Sequence, residues 1–465
     1  MKRIAIIGGG IAGLSAAWYL ERARQSGADL DWVLLEKSDR LGGVIQTERR
    51  DGFVLEAGPD SFLSIKPDAA RLCTELGLAG ELISSNDAER KTYILVKGRL
   101  VPIPHGLEFM VPTRVWPMVM TPLFSLQTKL RMGLELFLSR RTDAGDESVD
   151  EFVRRHFGRE MVDRVAEPLL AGVYGGNAEK LSIRAVLPRF AEMENTSGSL
   201  VRATLKAKAK AKPGTKPPPL FSSLRNGMQQ MVDALANALP RSSLRLRQAN
   251  LQVRPSGDGW QVECGGNQEK FRAVMLAVPA PAAAAALRQV PPALVEGLKR
   301  IEYTSSVAVA LAYQSAALPP GHGFLVPRTE GRKIMACTFV HKKFSHRAPE
   351  GTRLLRCFFS SSRMPELLRH SDEDFAAMAR QELEAILGLN AQPIFTRTFR
   401  SERAMAQYET GHLDRVAAME KIIGQMPGLF IIGNSFHGIG VPDCIKSARL
   451  AVEQITSDAC QPAAV

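Results

Sequence analysis

Gly8, Gly10 and Gly13 follow directly on the apolar run 4–7, and glycines at that spacing behind a short buried strand can bind a phosphate chain. The first permits a tight turn, the second lets the backbone approach a pyrophosphate, and the third lets the next helix pack close to the strand. Residues 14–24 are helix formers, so the helix would direct its N-terminal amides and the positive end of its dipole at that anion. Glu36 ends a second apolar run, 32–35, where its carboxylate can take both hydroxyls of an adenosine ribose. A glycine turn alone is a weak signal; strand, turn, helix and acid in this order predict a dinucleotide site. The acid at 36 disfavours a 2′-phosphate and hence NADP, while NAD and FAD stay open on these residues.

Such residues need a scaffold to position them. The chain has 465 residues, 45% hydrophobic and 23% charged, which excludes a disordered or collagenous protein and predicts two or three domains. Six cysteines stand singly with no partner at metal-ligand spacing, so a reduced, metal-free, cytoplasmic protein is expected. Met1, Lys2 and Arg3 lead straight into the first strand, which leaves no room for a signal peptide, and the longest uncharged stretch, 422–442, has too many glycines and prolines to span a bilayer. The net charge of +12 favours anionic partners, yet seven of those charges (Arg202, Lys206, Lys208, Lys210, Lys212, Lys216 and Arg225) sit in one acid-free stretch. No nucleic-acid partner is therefore expected.

Residues 107–141 mix Met, Leu, Phe and Trp with Arg and Lys. They read either as a buried helical subdomain or as a surface lying weakly on an anionic membrane, with Trp116 and Phe124 among the head groups and Arg114, Lys129 and Arg131 at the phosphates. Helical patterning continues to about residue 200, and the low-complexity stretch 206–219 is expected to be a flexible basic linker. After an amphipathic helix that follows Asn226-Gly227-Met228 come strand-like segments at 244–247, 250–254, 260–264 and 273–277, then a mixed region with strands at 307–312 and 354–359. Near the C-terminus the apolar run 429–434 ends in a glycine-rich turn, His437 to Asp443, with Asp443 as the expected N-cap of a helix over 444–454.

Arg40-Leu41-Gly42-Gly43 resembles the second glycine element of FAD-binding proteins in the amine oxidase and desaturase superfamily, and Glu56-Ala57-Gly58-Pro59 resembles the loop beside their flavin. With the longer motifs Gly58-Pro59-Asp60-Ser61-Phe62, Met405-Ala406-Gln407-Tyr408 and Gly433-Asn434-Ser435-Phe436-His437-Gly438-Ile439-Gly440-Val441-Pro442-Asp443, residues 2–456 resemble the oxygen-dependent porphyrinogen oxidases of haem biosynthesis. The resemblance implies an α/β fold: a Rossmann-like FAD-binding domain of the two-dinucleotide-binding flavoprotein type (1–84, 220–286, 411–457), an α+β substrate domain (85–106, 287–410) and an α-helical insertion (107–205). It implies FAD held by Gly8, Gly10, Gly13, Glu36, Lys37, Arg40, Gly42, Gly43, Gly58, Pro59, Val253, Gly433, Val441, Pro442 and Asp443. The C-terminal helix would aim its N-terminus at the flavin N1 and C2 carbonyl edge, where reduced flavin gains negative charge.

The same resemblance implies oxidation of a porphyrinogen with O2 as acceptor, with a downstream enzyme of haem synthesis as a further partner. Thr92, Leu325 and Phe339 are implied to line the substrate site, and Asp60 is the acid to test near the reacting carbon. Two departures stand out: Thr92 occupies a position where plant and mammalian relatives carry a propionate-binding arginine, and Val44 follows Gly43 where many carry arginine. A flavin amine oxidase or desaturase and a non-enzymatic flavin-binding scaffold are the competing readings.

Overall fold

The computed structural model describes residues 1–140, 145–210 and 219–457. Strand Lys2–Ile7 lies between Leu30–Leu35 and Ala273–Leu276, and Leu244–Arg245 and Leu429–Ile431 complete a five-stranded, all-parallel sheet at its two edges. A parallel sheet must be covered on both faces, which is why its strands are continuous apolar runs. Ile4, Ile6 and Leu34 face the helices Ile11–Gln25, Gln229–Ala238 and Val441–Ser457, whereas Ala5, Ile7, Val33 and Leu276 face Trp260, Val262 and Phe271 of an antiparallel meander. That meander pairs Gln252–Ser256, Gly259–Cys264 and Asn267–Phe271. Its third strand is absent from the sequence reading because Asn267, Gln268, Glu269 and Lys270 carry no apolar alternation.

A second sheet has seven strands in the order Phe395–Ala406, Tyr303–Tyr313, Arg353–Ser360, Ala336–Phe339, Gly323–Leu325, Thr92–Val96 and Arg99–Pro102. Only the pairing of 323–325 with 92–96 is parallel. One face carries Val307, Val309, Leu311, Phe339, Leu355 and Phe359 against helix Asp372–Leu387, which starts at a Ser371–Asp374 capping box. The opposite face presents Ala310, Ala312 and Leu354 to the hairpin Thr47–Arg50/Phe53–Glu56. Farther along, Ile94 and the flank of Leu325 on that face meet the helical insertion.

The insertion packs Phe152, Phe157, Met161 and Val165 into a core continuous with Ile94 of the second sheet and with the meander side of the parallel sheet, and includes helices Val115–Met120, Leu126–Leu134, Val149–Phe157, Glu167–Tyr174, Pro188–Ser197 and Leu200–Lys210. Two expectations change here. Residues 206–210 are helical rather than linker, because alternating Ala and Lys are good helix formers and Arg202, one turn earlier, donates to Leu136 O and Leu138 O; 211–218 lie outside the described residues. Phe124 is buried in the insertion core, so it is not available to a membrane, whereas Trp116 is 72% exposed.

Candidate functional site

The first glycine turn takes the shape its spacing predicts. Gly8 adopts φ +108°, where a Cβ would lie 2.5 Å from Ala277 O, and a Cβ on Gly13 would lie 1.8 Å from Gly8 O, so helix Ile11–Gln25 docks against the strand only because position 13 has no side chain. A Cβ on Gly10 would meet nothing, which places open space at the helix N-terminus where a pyrophosphate would approach. Glu36 stands at the end of the second strand, 9% exposed, with Oε2 accepting from Gly9 N–H at 2.6 Å and Oε1 from Ser38 N–H at 2.9 Å. Oε1 also accepts from Ser38 Oγ at 2.6 Å, so it is Oε2 that keeps a lone pair for a ribose hydroxyl. Lys37 beside it is exposed.

The second glycine turn is stitched to the first: Gly42 N–H donates to Gly9 O at 2.8 Å, and a Cβ on Gly43 would lie 3.2 Å from Gly10 Cα. Arg40 braces this turn from behind, donating to the carbonyls of Leu41, Gly43 and Ile45. It thus shapes the loop that would face a diphosphate. Gly58 continues the cradle, since a Cβ there would fall 2.0 Å from Val44 O, and Pro59 next to it is half-buried.

Behind the 57–60 loop lies a charged cluster drawn from strand Arg353–Ser360 of the second sheet and from the segment 340–347 just before it. Lys343 Nζ donates to both oxygens of Asp60 at 3.0 Å, Arg356 donates to Gly58 O at 2.8 Å and Ala57 O at 3.2 Å, and Arg347 stands 3.5 Å from Glu56. Burial opposes ionisation of Asp60, but Lys343 and Arg356 outweigh it and hold the carboxyl well below the usual range. Glu56 differs: burial dominates and raises its pKa, although Arg347, Thr47 Oγ1 and Met228 N–H all support the charge.

The C-terminal turn meets the N-terminal one. Gly433 adopts φ +104° with its missing Cβ 3.6 Å from Ala12 Cβ, and its N–H donates to Ser447 Oγ at 2.9 Å. Val441 and Pro442 are buried in the first turn of helix Val441–Ser457. Asp443 is therefore the third residue of that helix and not its N-cap; from there Oδ2 accepts from Gly440 N–H at 3.1 Å and the carboxylate pairs with Lys66 at 2.7 Å. The helix begins earlier than expected because Pro442 fits its first turn. Tyr408 donates to Asn434 O at 2.8 Å, and Tyr303 reaches Ser435 Oγ at 3.0 Å, so a tyrosine at the start of strand Tyr303–Tyr313 and one just past strand Phe395–Ala406 anchor the turn. Neither tyrosine nor Lys343, Arg347 or Arg356 carries a local sequence signal; only Tyr408 falls inside a quoted motif.

The remaining predicted positions separate. Val253 is fully buried and pairs with Val262, its carbonyl accepting from Arg288 N–H at 2.8 Å. Thr92 and Leu325 lie two positions apart in register, Thr92 opposite Gly323 and Leu325 opposite Ile94, with Leu325 packed on the insertion side. Phe339 points to the other face, fully buried with Phe324 at a ring distance of 6.2 Å, so it cannot share a cavity wall with Leu325. Strand alternation sets this: Leu325 pairs with Ala336, three residues before Phe339.

Residues 11–456 match the family described as flavin containing amine oxidoreductase. A coproporphyrinogen III oxidase of Bacillus subtilis (strain 168) is 34% identical over 97% of this chain and 97% of its own length. The crystal structure of a protein from Exiguobacterium sp. 255-15, assigned as a protoporphyrinogen oxidase, superposes with a TM-score of 0.87 at 31% identity, covering 98% of this chain and 99% of the other. A cyclohexylamine oxidase of Brevibacterium oxydans IH-35A shares the fold at 16% identity, with a TM-score of 0.69 over 99% of this chain and 100% of its own.

Proposed function

The chain belongs to the flavin containing amine oxidoreductase family, and from that premise we propose that it oxidises a porphyrinogen to the porphyrin in haem biosynthesis, with O2 as acceptor. One observation supports the reading: the N-terminal and C-terminal glycine turns abut, with Gly433 against Ala12, which brings the ribose acid, the phosphate cradle and the C-terminal helix end to the same edge of the parallel sheet, where one FAD would lie. When bound, FAD supplies the hydride acceptor and passes electrons to O2 with release of H2O2. The protein would contribute position and field. Glu36 would fix the ribose, the amides of the Gly8–Gly13 turn the diphosphate, and the N-terminus of Val441–Ser457 would favour negative charge on the ring edge it faces.

The relatives named coproporphyrinogen III oxidase, 30–34% identical, favour the tetracarboxylate porphyrinogen over the dicarboxylate. An amine oxidase would use an aromatic pair facing the ring near the C-terminal turn; here Phe436 is 7% exposed and His437 pairs outward with Glu420 at 2.7 Å. The deciding experiment incubates the yellow holoenzyme under air with coproporphyrinogen III, protoporphyrinogen IX and putrescine in parallel, following porphyrin fluorescence, H2O2 and flavin bleaching. Flavin bleached by the amine and untouched by both porphyrinogens would overturn the assignment.

A peripheral membrane contact belongs to the same proposal. No helix among the described residues is long and apolar enough to cross a membrane. Of the eighteen exposed large apolar side chains among the described residues, eight nevertheless fall between Val115 and Phe137, beside the lysines of helix Leu200–Lys210.

A further inference from the structure

Helix Glu167–Tyr174 of the insertion ends on Gly175 in the left-handed conformation, which leaves Tyr174 as its last residue. The end of the second sheet pins it: Gln407 Nε2 donates to Tyr174 O at 2.7 Å, and Thr304 Oγ1 donates to the same carbonyl at 3.2 Å. The ring of Tyr174 stands 6.2 Å from that of Tyr408, whose hydroxyl holds Asn434 in the C-terminal glycine turn. Insertion, second sheet and nucleotide domain therefore converge on this one side chain.

Tyr174 is 8% exposed, and its hydroxyl, which meets no hydrogen-bond partner among the described residues, keeps contact with open space instead of being sealed in the core. Its neighbours differ: Tyr303 bonds Ser435 and Tyr408 bonds Asn434. A tyrosine whose ring is buried while its hydroxyl opens outward can offer that hydroxyl to a ligand, and phenylalanine would fill the same space without it. Burial first, and then the negative charge of Asp443, push its pKa up to about 12, so the phenol stays neutral.

We propose that the Tyr174 hydroxyl positions the substrate by hydrogen-bonding the nitrogen core of the porphyrinogen at the flavin-facing turn, an inference that rests on the function proposed above. A porphyrinogen carries pyrrole N–H donors at its centre and carboxylates only on its rim. As its bridges are oxidised, some ring nitrogens change from N–H donors to imine acceptors. A neutral phenol serves both states, accepting through its oxygen and donating through its hydrogen, whereas an ammonium can only donate and a carboxylate only accept. The ring of Tyr174 stands beside Tyr408, which holds Asn434 of the C-terminal turn, so a substrate brought to that turn would offer it the core and not a carboxylate arm. Tyr174 transfers no proton or electron in this role.

The test compares wild-type and Y174F holoenzymes on coproporphyrinogen III and protoporphyrinogen IX. Y174F is expected to keep the flavin spectrum and a thermal midpoint no lower than wild type, while kcat/KM falls about tenfold on both substrates, mostly in kcat. Affinity for the porphyrin product, read by fluorescence quenching, should weaken in parallel. An unchanged kcat/KM would overturn the inference, as would a loss confined to the tetracarboxylate, which would place the hydroxyl on the rim. A lowered midpoint with faded flavin colour would also overturn it by marking a structural role. Wild-type enzyme inactive on both porphyrinogens would remove the functional reading itself; active wild type with an equally active Y174F removes only the inference.

Discussion

Asp60 shows how far a residue's chemistry depends on partners that its own neighbourhood in the sequence does not reveal. As an acid in a loop beside the expected flavin it invites an acid–base role. In the fold Lys343, 283 positions away, holds both carboxylate oxygens, and the low pKa keeps Asp60 ionised throughout the working range. Because the folded pKa is depressed below 3.8, the stabilisation is present above that value and is lost only as pH falls through the folded pKa. Asp60 is therefore predicted to produce no inflection in kcat/KM between about pH 5 and pH 9. Asp60→Asn should keep the shape of the profile and lower stability by about 3 kcal/mol, since Lys343 and Arg356 lose their counter-charge, and adding Lys343→Met should recover part of that. An inflection that disappears in Asp60→Asn would restore an acid–base role. Glycine behaves in the opposite way, because its reason is local and so readable from spacing. Gly58→Ala would drive a Cβ to 2.0 Å from Val44 O, and the variant is expected to be purified without flavin colour.

At the scale of elements, the strands of the parallel sheet were legible because both their faces are buried and each is one apolar run. The meander strand 267–271 and the helix through Lys210 were not, since tertiary contacts decide the strand and the low-complexity composition of 206–210 hides the helix propensity of its Ala and Lys. The insertion depends on a latch equally silent in the sequence. His156, 1% exposed, bonds Glu135 at 3.0 Å through Nδ1 and Glu194 at 3.2 Å through Nε2. Glu135 also accepts from Ser199 Oγ and Leu200 N–H at the start of helix Leu200–Lys210, and Arg155 pairs with Glu194 and Glu147. Burial alone would lower the His156 pKa, but the two carboxylates outweigh it and raise it, while Glu194 is held down at about 2. A raised folded pKa contributes stability that is complete below the unfolded value of 6.5 and fades as pH rises through the folded one. The thermal midpoint should therefore decline above about pH 6.5 in wild type and lose that slope in His156→Leu. His156→Leu should also cost about 3 kcal/mol by leaving two carboxylates without their shared donor, with proteolysis opening first near residue 199. Parallel slopes in both proteins would refute the latch.

The whole molecule brings together segments that no local reading could pair, such as strand 92–96 lying parallel to 323–325 and the two glycine turns meeting end to end. The same assembly sets the lysine helix against the apolar helices of the insertion: Arg202 donates to Leu136 O and Leu138 O, and Lys208 reaches Thr113 Oγ1 at 3.2 Å. Trp116, Met120, Leu126, Leu130, Leu134 and Phe137 thus share one side of the molecule with the exposed Lys206 and Lys210, an arrangement suited to an interface with both an apolar layer and negative head groups. Each lysine near an anionic surface contributes about 1 kcal/mol, and that contribution is screened within a Debye length of about 10 Å at 0.1 M salt. Co-sedimentation with phosphatidylglycerol vesicles is therefore predicted at low salt and should fall steeply as salt rises, with a blue shift of tryptophan emission that Trp116→Phe removes. Lys206→Glu combined with Lys210→Glu reverses two charges and should weaken vesicle binding by more than tenfold without altering flavin content, whereas Phe137→Glu should act at every salt concentration because it removes apolar burial instead of charge. Wild-type protein that stays in the supernatant with anionic vesicles at low salt would show that this face serves some other purpose.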